Sequence, residues 1–154
     1  MDEYLNGFQV INVLLVEDNP GDVRLIRETL NENKLRFNLC HVKDGLEACE
    51  FLKKENNFAD APDPDLILLD LNLPKKDGRE VLYDIKNDER LKHIPVVVLT
   101  SSLADCDILK CHNLHANCFV TKPVDLDQFI TVVKNIQNFW FTIVKLPCKE
   151  GALK

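Results

Sequence analysis

Four apolar runs in this 154-residue chain each end on a group that could do chemistry. Val10 to Val16 stops at Glu17-Asp18, Leu66 to Leu69 at Asp70, Pro95 to Leu99 at Thr100, and Asn117 to Val120 at Thr121-Lys122-Pro123. An aspartate at one strand end does no more than start a turn. In an open α/β sheet, however, the carboxyl ends of the strands form the ligand crevice, and there Glu17, Asp18, Asp70, Thr100 and Lys122 converge. Three carboxylates a few ångströms apart repel one another unless a cation sits among them. The set holds hard oxygen donors and neither cysteine nor histidine, which suits Mg²⁺, an ion that keeps several waters and binds phosphate oxygens. Lys122 adds a point charge and Thr100 a hydroxyl, both fitted to phosphoryl oxygens. Asp70 is then left to attack phosphorus and form an aspartyl-phosphate.

The elements that must position these residues alternate. Leu66 to Leu69 is uniformly large and apolar, the pattern of a strand buried on both faces of a parallel sheet. Asn19-Pro20 supplies an N-cap and a proline at the first helical position, and Val23, Ile26 and Leu30 recur at helical spacing to about Glu32. Leu35 to Val42 reads as a second strand, and Lys43-Asp44-Gly45 turns into a helix bearing Leu46, Cys49, Phe51 and Leu52. Glu55 to Pro64 is a polar loop in which two prolines exclude a helix. A helix carrying Val81, Leu82 and Ile85, a β-branched fourth strand, a short helix near Leu103 to Leu114 and a fifth strand complete the series. Five β-α units imply a doubly wound parallel sheet with helices on both faces. Met1 to Gly7 reads as a loose start.

Composition bounds the rest. At 45% hydrophobic content the chain is long enough for one continuous core. A formal net charge of −6 leaves no basic excess to neutralise nucleic-acid phosphates. No apolar run reaches membrane-spanning length, and the acidic start Met1-Asp2-Glu3 is unlike a signal peptide, so a cytoplasmic protein is expected. The six cysteines lie largely in apolar periodic segments, where free thiols act as small hydrophobes. Cys111-His112-Asn113-Leu114-His115-Ala116-Asn117-Cys118 offers four possible zinc ligands in eight residues but lacks a C-x-x-C pair, and we read it as packing.

The last helix, from Asp125 to about Lys145, has an apolar arc about twice as wide as one sheet face requires. Its surplus edge, Val132, Ile136, Phe139 and Ile143, calls for a cover, and a partner chain covers more area than the short polar tail can.

The acidic pair after the first strand, D-x-N-x-P from Asp70 to Pro74, T-S at Thr100-Ser101 and K-P at Lys122-Pro123 together resemble the receiver domains of two-component response regulators. The resemblance covers about residues 11 to 140 and implies a flavodoxin-like (βα)5 sheet of order 2-1-3-4-5 with an extended last helix. It implies that Asp70 accepts a phosphoryl group from a histidine kinase. It further implies that Mg²⁺ is held by Asp18 and Asp70, by Glu17 through water and by the carbonyl of Asn72, and that Lys122 neutralises the phosphate. Thr100 and Phe119 stand where the family keeps its switch pair, and a cis Lys122-Pro123 bond would follow the family's habit. Ser101 replaces the usual alanine, and Phe119 lacks the common tyrosine's hydroxyl.

Asn138-Phe139-Trp140-Phe141-Thr142-Ile143-Val144-Lys145-Leu146-Pro147, with Val16-Glu17-Asp18-Asn19-Pro20-Gly21-Asp22, is similar to the stand-alone receivers of bacterial phytochrome-type kinases and their archaeal relatives. That similarity implies a homodimer through the last helix and one domain, with a core of about 11–146 and no output domain. Two other functions compete. An aspartyl-phosphate phosphatase needs a general acid two residues after its nucleophile, where this chain has Asn72. A phosphorylation-independent interaction module would leave all five site residues unused.

Overall fold

The computed structural model describes residues 4–5, 8–31, 37–100, 118–123 and 125–139. Five parallel strands form the central sheet: β1 (Ile11–Val16), β2 (Phe37–Val42), β3 (Leu66–Asp70), β4 (Val96–Thr100) and β5 (Cys118–Thr121). Their spatial order is β2-β1-β3-β4-β5, the expected 2-1-3-4-5 arrangement. Helices α1 (Pro20–Asn31), α2 (Gly45–Lys53), α3 (Gly78–Lys86) and α4 (Leu126–Asn138) follow β1, β2, β3 and β5. The expected helix near 103–114, the Cys/His cluster up to Asn117, and Ser101 lie outside the described residues.

Strand alternation sorts the core onto two faces. Leu14, Val16, Ile67, Leu69, Val96 and Val98 point to one face and pack with Val81, Leu82 and Ile85 of α3 and Phe51 and Leu52 of α2. Val13, Leu15, Leu66, Leu68, Val97 and Leu99 point to the other, against Ile26 and Leu30 of α1 and Phe129, Val133 and Ile136 of α4. Register matters most at the strand tips. Val16 is level with Leu69, and Thr100 with Thr121, so Glu17, Asp70, Thr100 and Lys122 come out along one rim.

Three expectations are corrected. The start of the chain is not wholly loose: Tyr4–Leu5 pairs antiparallel with Phe8–Gln9. The signal was Asn6-Gly7, the dipeptide favoured in two-residue hairpin connections. The Lys122–Pro123 bond is trans, for no cis peptide occurs among the described residues. Trans is the lower-energy isomer of an X–Pro bond, and the Lys122 N–H is held by the Thr100 carbonyl at 2.7 Å.

The third correction concerns α4. Ile136, expected at an exposed edge, is buried in the core, and Val132 packs partly buried against the same cluster. A helical wheel that assumes a sheet on one side undercounts contacts here, because α4 also packs on α1. Buried Gln137 donates through Nε2 to the Leu30 carbonyl at 3.2 Å across that junction. Phe139 stays half exposed, and Ile143 lies outside the described residues.

Candidate functional site

The site is built from the tips of β1, β3 and β5 and the first turn of α1. Glu17 follows β1, and its backbone is clamped by β2: its N–H donates to the Val42 carbonyl at 3.1 Å, and the His41 ring contacts its carbonyl at 2.8 Å. Asp70 ends β3 with 6% of its surface exposed. Its Oδ1 accepts from the Asn72 N–H at 3.3 Å, which folds the chain into a tight turn. That turn is held by two close approaches available only to glycine. A Cβ on Gly78 would stand 2.3 Å from the Asp70 carbonyl oxygen, and one on Gly45 would stand 2.0 Å from that of Lys76.

Glu17, Asp18 and Asp70 each offer a carboxylate oxygen, and the three lie within 4.8 Å of one another. Asp18 is exposed, whereas Glu17 is almost fully buried. The buried cation of the site is Lys122. Its Nζ donates to Glu17 Oε1, lies 3.0 Å from Asp22 Oδ2 and stands 3.6 Å from Asp70 Oδ2. Burial pushes the Glu17 carboxyl up to about 7, against the bond from Lys122 and with the help of the Asp70 charge. Burial alone would pull the Lys122 ammonium down, but the bond to Glu17 and the charges of Glu17 and Asp70 outweigh it, and its pKa is raised. Among the described residues the rim thus carries four carboxylates against the Lys122 ammonium.

That donor set fits a hard divalent cation: clustered oxygens, one of them open to solvent, with a charge excess to be relieved. Thr100 is fully buried at the tip of β4, and its Oγ1 lies 3.5 Å from Asn72 Nδ2. The structure therefore brings together Glu17, Asp18, Asp70, Asn72, Thr100 and Lys122. Phe119 sits on β5, and its side chain is outside the described residues. Asp22 was missed, since an acid in the first turn of a helix ordinarily reads as a dipole partner. A groove of about 940 Å³ opens over the site between α1 and the start of α4, lined by Asp18, Pro20, Asp70, Pro123 and Leu126 among others.

The family profile of the response regulator receiver domain matches residues 13–134. The chain belongs to the response regulator receiver family. Response regulator Rcp1 of Synechocystis sp. is 47% identical over 135 residues, covering 88% of this chain and 92% of that protein. FilR2 of Methanothrix harundinacea, a probable methanogenesis regulatory protein, is 37% identical over 128 residues, covering 83% and 82%. The crystal structure of phosphorylated RcpA, a cyanobacterial phytochrome response regulator, superposes with a TM-score of 0.88 at 49% identity, covering 90% of this chain and 99% of that one. The Mn²⁺-bound form of Rcp1 gives the same score at 46% identity and the same coverage. This receiver is thus similar to phytochrome response regulators and to an archaeal one, as its sequence suggested. Among the described residues no helix is long and apolar enough to cross a membrane.

Proposed function

We propose that this receiver accepts a phosphoryl group on Asp70 from a phosphohistidine of a sensor histidine kinase of the phytochrome-like class. The observation that carries the reading is the approach of Asp70 to Glu17, Asp18 and Lys122 at the tips of three separate strands. An Asp70 oxygen attacks phosphorus in line, an O–P bond forms, and the P–N bond to the imidazole breaks with its electron pair leaving on nitrogen. Glu17, Asp18, Asp70 and the Asn72 carbonyl are the groups that would hold Mg²⁺, which when bound offsets charge on the carboxylates and the transferred phosphoryl oxygens. Lys122 neutralises further charge, and the Thr100 hydroxyl supplies a hydrogen bond to the phosphoryl group.

Phosphorylation adds nearly two negative charges beside a buried hydroxyl, and this is the bias that a two-state element built on Thr100 and Phe119 would convert into a change of shape. Water ends the signal by attacking the same phosphorus. Asn72 flanks the line of approach and is not bulky, and turnover on the order of 10⁻³ to 10⁻² s⁻¹ is expected, a barrier of about 20–22 kcal/mol. Asn72 also argues against a phosphatase, because its amide cannot protonate a leaving group.

Cytoplasmic location is consistent with free Cys40 and Cys49. A homodimer would use Phe139, which is half exposed, as an apolar contact, and Ile143 would extend it.

Incubation with acetyl phosphate and Mg²⁺ tests the reading. Acid-labile phosphate should appear on the wild type, vanish with EDTA, and fall at least about a hundredfold in Asp70→Asn. Equal labelling of that variant would refute it.

A further inference from the structure

The proposed chemistry leaves Asp22 without a task, yet Asp22 makes one of the closest contacts to the only buried ammonium of the described rim. Its Oδ2 is 3.0 Å from Lys122 Nζ, nearer than Asp70 Oδ2 at 3.6 Å. The Lys122 side chain is 8% exposed, so this bond forms largely out of water, where charge-assisted contacts are strongest. The Asp22 backbone is also anchored. It stands in the first turn of α1, and its own N–H donates to Asn19 Oδ1 at 3.1 Å.

A phosphoryl group on Asp70 brings about two negative charges to within reach of Lys122. To meet them the ammonium has to leave part of its present shell. Glu17, bonded to the same nitrogen, follows Val16, which is level with Leu69, and so stands on the Asp70 side, whereas Asp22 reaches the nitrogen from α1. The bond that must stretch or break is therefore the one to Asp22. We propose that Asp22 is a positioning residue that holds Lys122 away from Asp70 in the unphosphorylated protein and so slows phosphoryl acceptance. The inference rests on the reading of Asp70 as phosphoacceptor. In the step concerned, the Asp70 carboxylate forms an O–P bond, the acyl C–O–P bridge of acetyl phosphate breaks between oxygen and phosphorus, and acetate departs with the electron pair. Lys122 keeps its proton and only changes partners.

The test is the Mg²⁺-dependent labelling rate as a function of acetyl phosphate concentration. Asp22→Asn keeps the side chain's size and removes its charge. Its limiting rate at saturating donor should rise about fivefold, roughly 1 kcal/mol of barrier. Asp22→Glu, which keeps the charge, should label within about twofold of wild type. Glu28→Gln removes an equal charge from the outer wall of the same groove, where Glu28 pairs with Arg24 rather than Lys122. It should alter the half-saturating concentration alone, as any loss of donor repulsion would.

An Asp22→Asn limiting rate within twofold of wild type overturns the inference, and so does an equal rise in Glu28→Gln. Carbon NMR of the wild type needs no variant: the Asp22 carboxyl resonance should shift when beryllofluoride, a phosphoryl mimic, is added. An unmoved resonance overturns the inference even if Asp22→Asn fails to fold. Failure of the underlying reading looks different, since then Asp70→Asn labels like wild type or neither labels at all.

Discussion

Two regions of this receiver handle charge in opposite ways. Around α2, α3 and the loops beside them, acids and bases are roughly matched and each pair keeps at least one partner open to water: Lys76 with Asp84, Arg79 with Asp77, and Lys54 and Arg90 with Asp63. At the strand tips, Glu17, Asp22 and Asp70 share the ammonium of Lys122, with Asp18 beside them and no second ammonium bonded to them among the described residues, and most of that group is buried. Matched exposed pairs add little to stability, typically 0 to about 1 kcal/mol. An unmatched buried cluster costs stability, and a fold keeps such a cost where it has a use for the field. The contrast separates scaffold from site without reference to any relative.

Removing charge from each region should therefore have opposite consequences. The larger effect is expected from Glu17→Gln in protein stripped of divalent ions. Glutamine can still accept from Lys122 but neither repels Asp70 nor requires a buried charge, so the variant should be more stable than wild type at pH 8 by about 1–2 kcal/mol. The pH dependence follows the sign of the shift. Glu17 has its carboxyl raised from 4.5 to about 7, so across that window the folded protein holds a proton that the unfolded chain has released. The contribution of this group to stability is thus lost as pH rises from about 4.5 to 7, and the gap between variant and wild type should close near pH 5. Denaturant titrations at pH 5 and 8 check it; a wild type gaining stability over the variant as pH rises would erase the contrast.

The smaller effect is expected on the other side. Asp84→Asn breaks the pair with Lys76, whose ammonium that bond holds above its usual range. Both side chains are partly open to water, at 25% and 43%, so the loss should be under about 0.5 kcal/mol, should shrink further in high salt, and should leave the labelling rate of Asp70 unchanged. A loss of several kcal/mol would mean that the matched region is no mere scaffold.

Much of this was legible in the residues because burial and chemistry used different letters. Leu66 to Asp70 changes from apolar to acidic in one step, and parallel strands in register bring such steps to one rim. What was hidden depended on who packs against whom. Ile136 looked surplus on a wheel that knew of a sheet but not of α1. Asp22 stands in the first turn of a helix, and nothing near it in sequence points to Lys122, a hundred residues on. Gly45 and Gly78 carry no side chain to announce that a carbonyl lies where their Cβ would be. The trans bond before Pro123 shows that Lys122 reaches the acids without the isomer its family resemblance implied.

The account turns on Asp70 as the atom donor in an acyl phosphate. Borohydride reduction of the acetyl-phosphate-treated protein, followed by peptide mass spectrometry, converts such an aspartyl-phosphate to homoserine where it stands. The account predicts homoserine at position 70, formed only with a divalent ion present. Homoserine at position 18 or 22, or none at any position despite stoichiometric label, would contradict it.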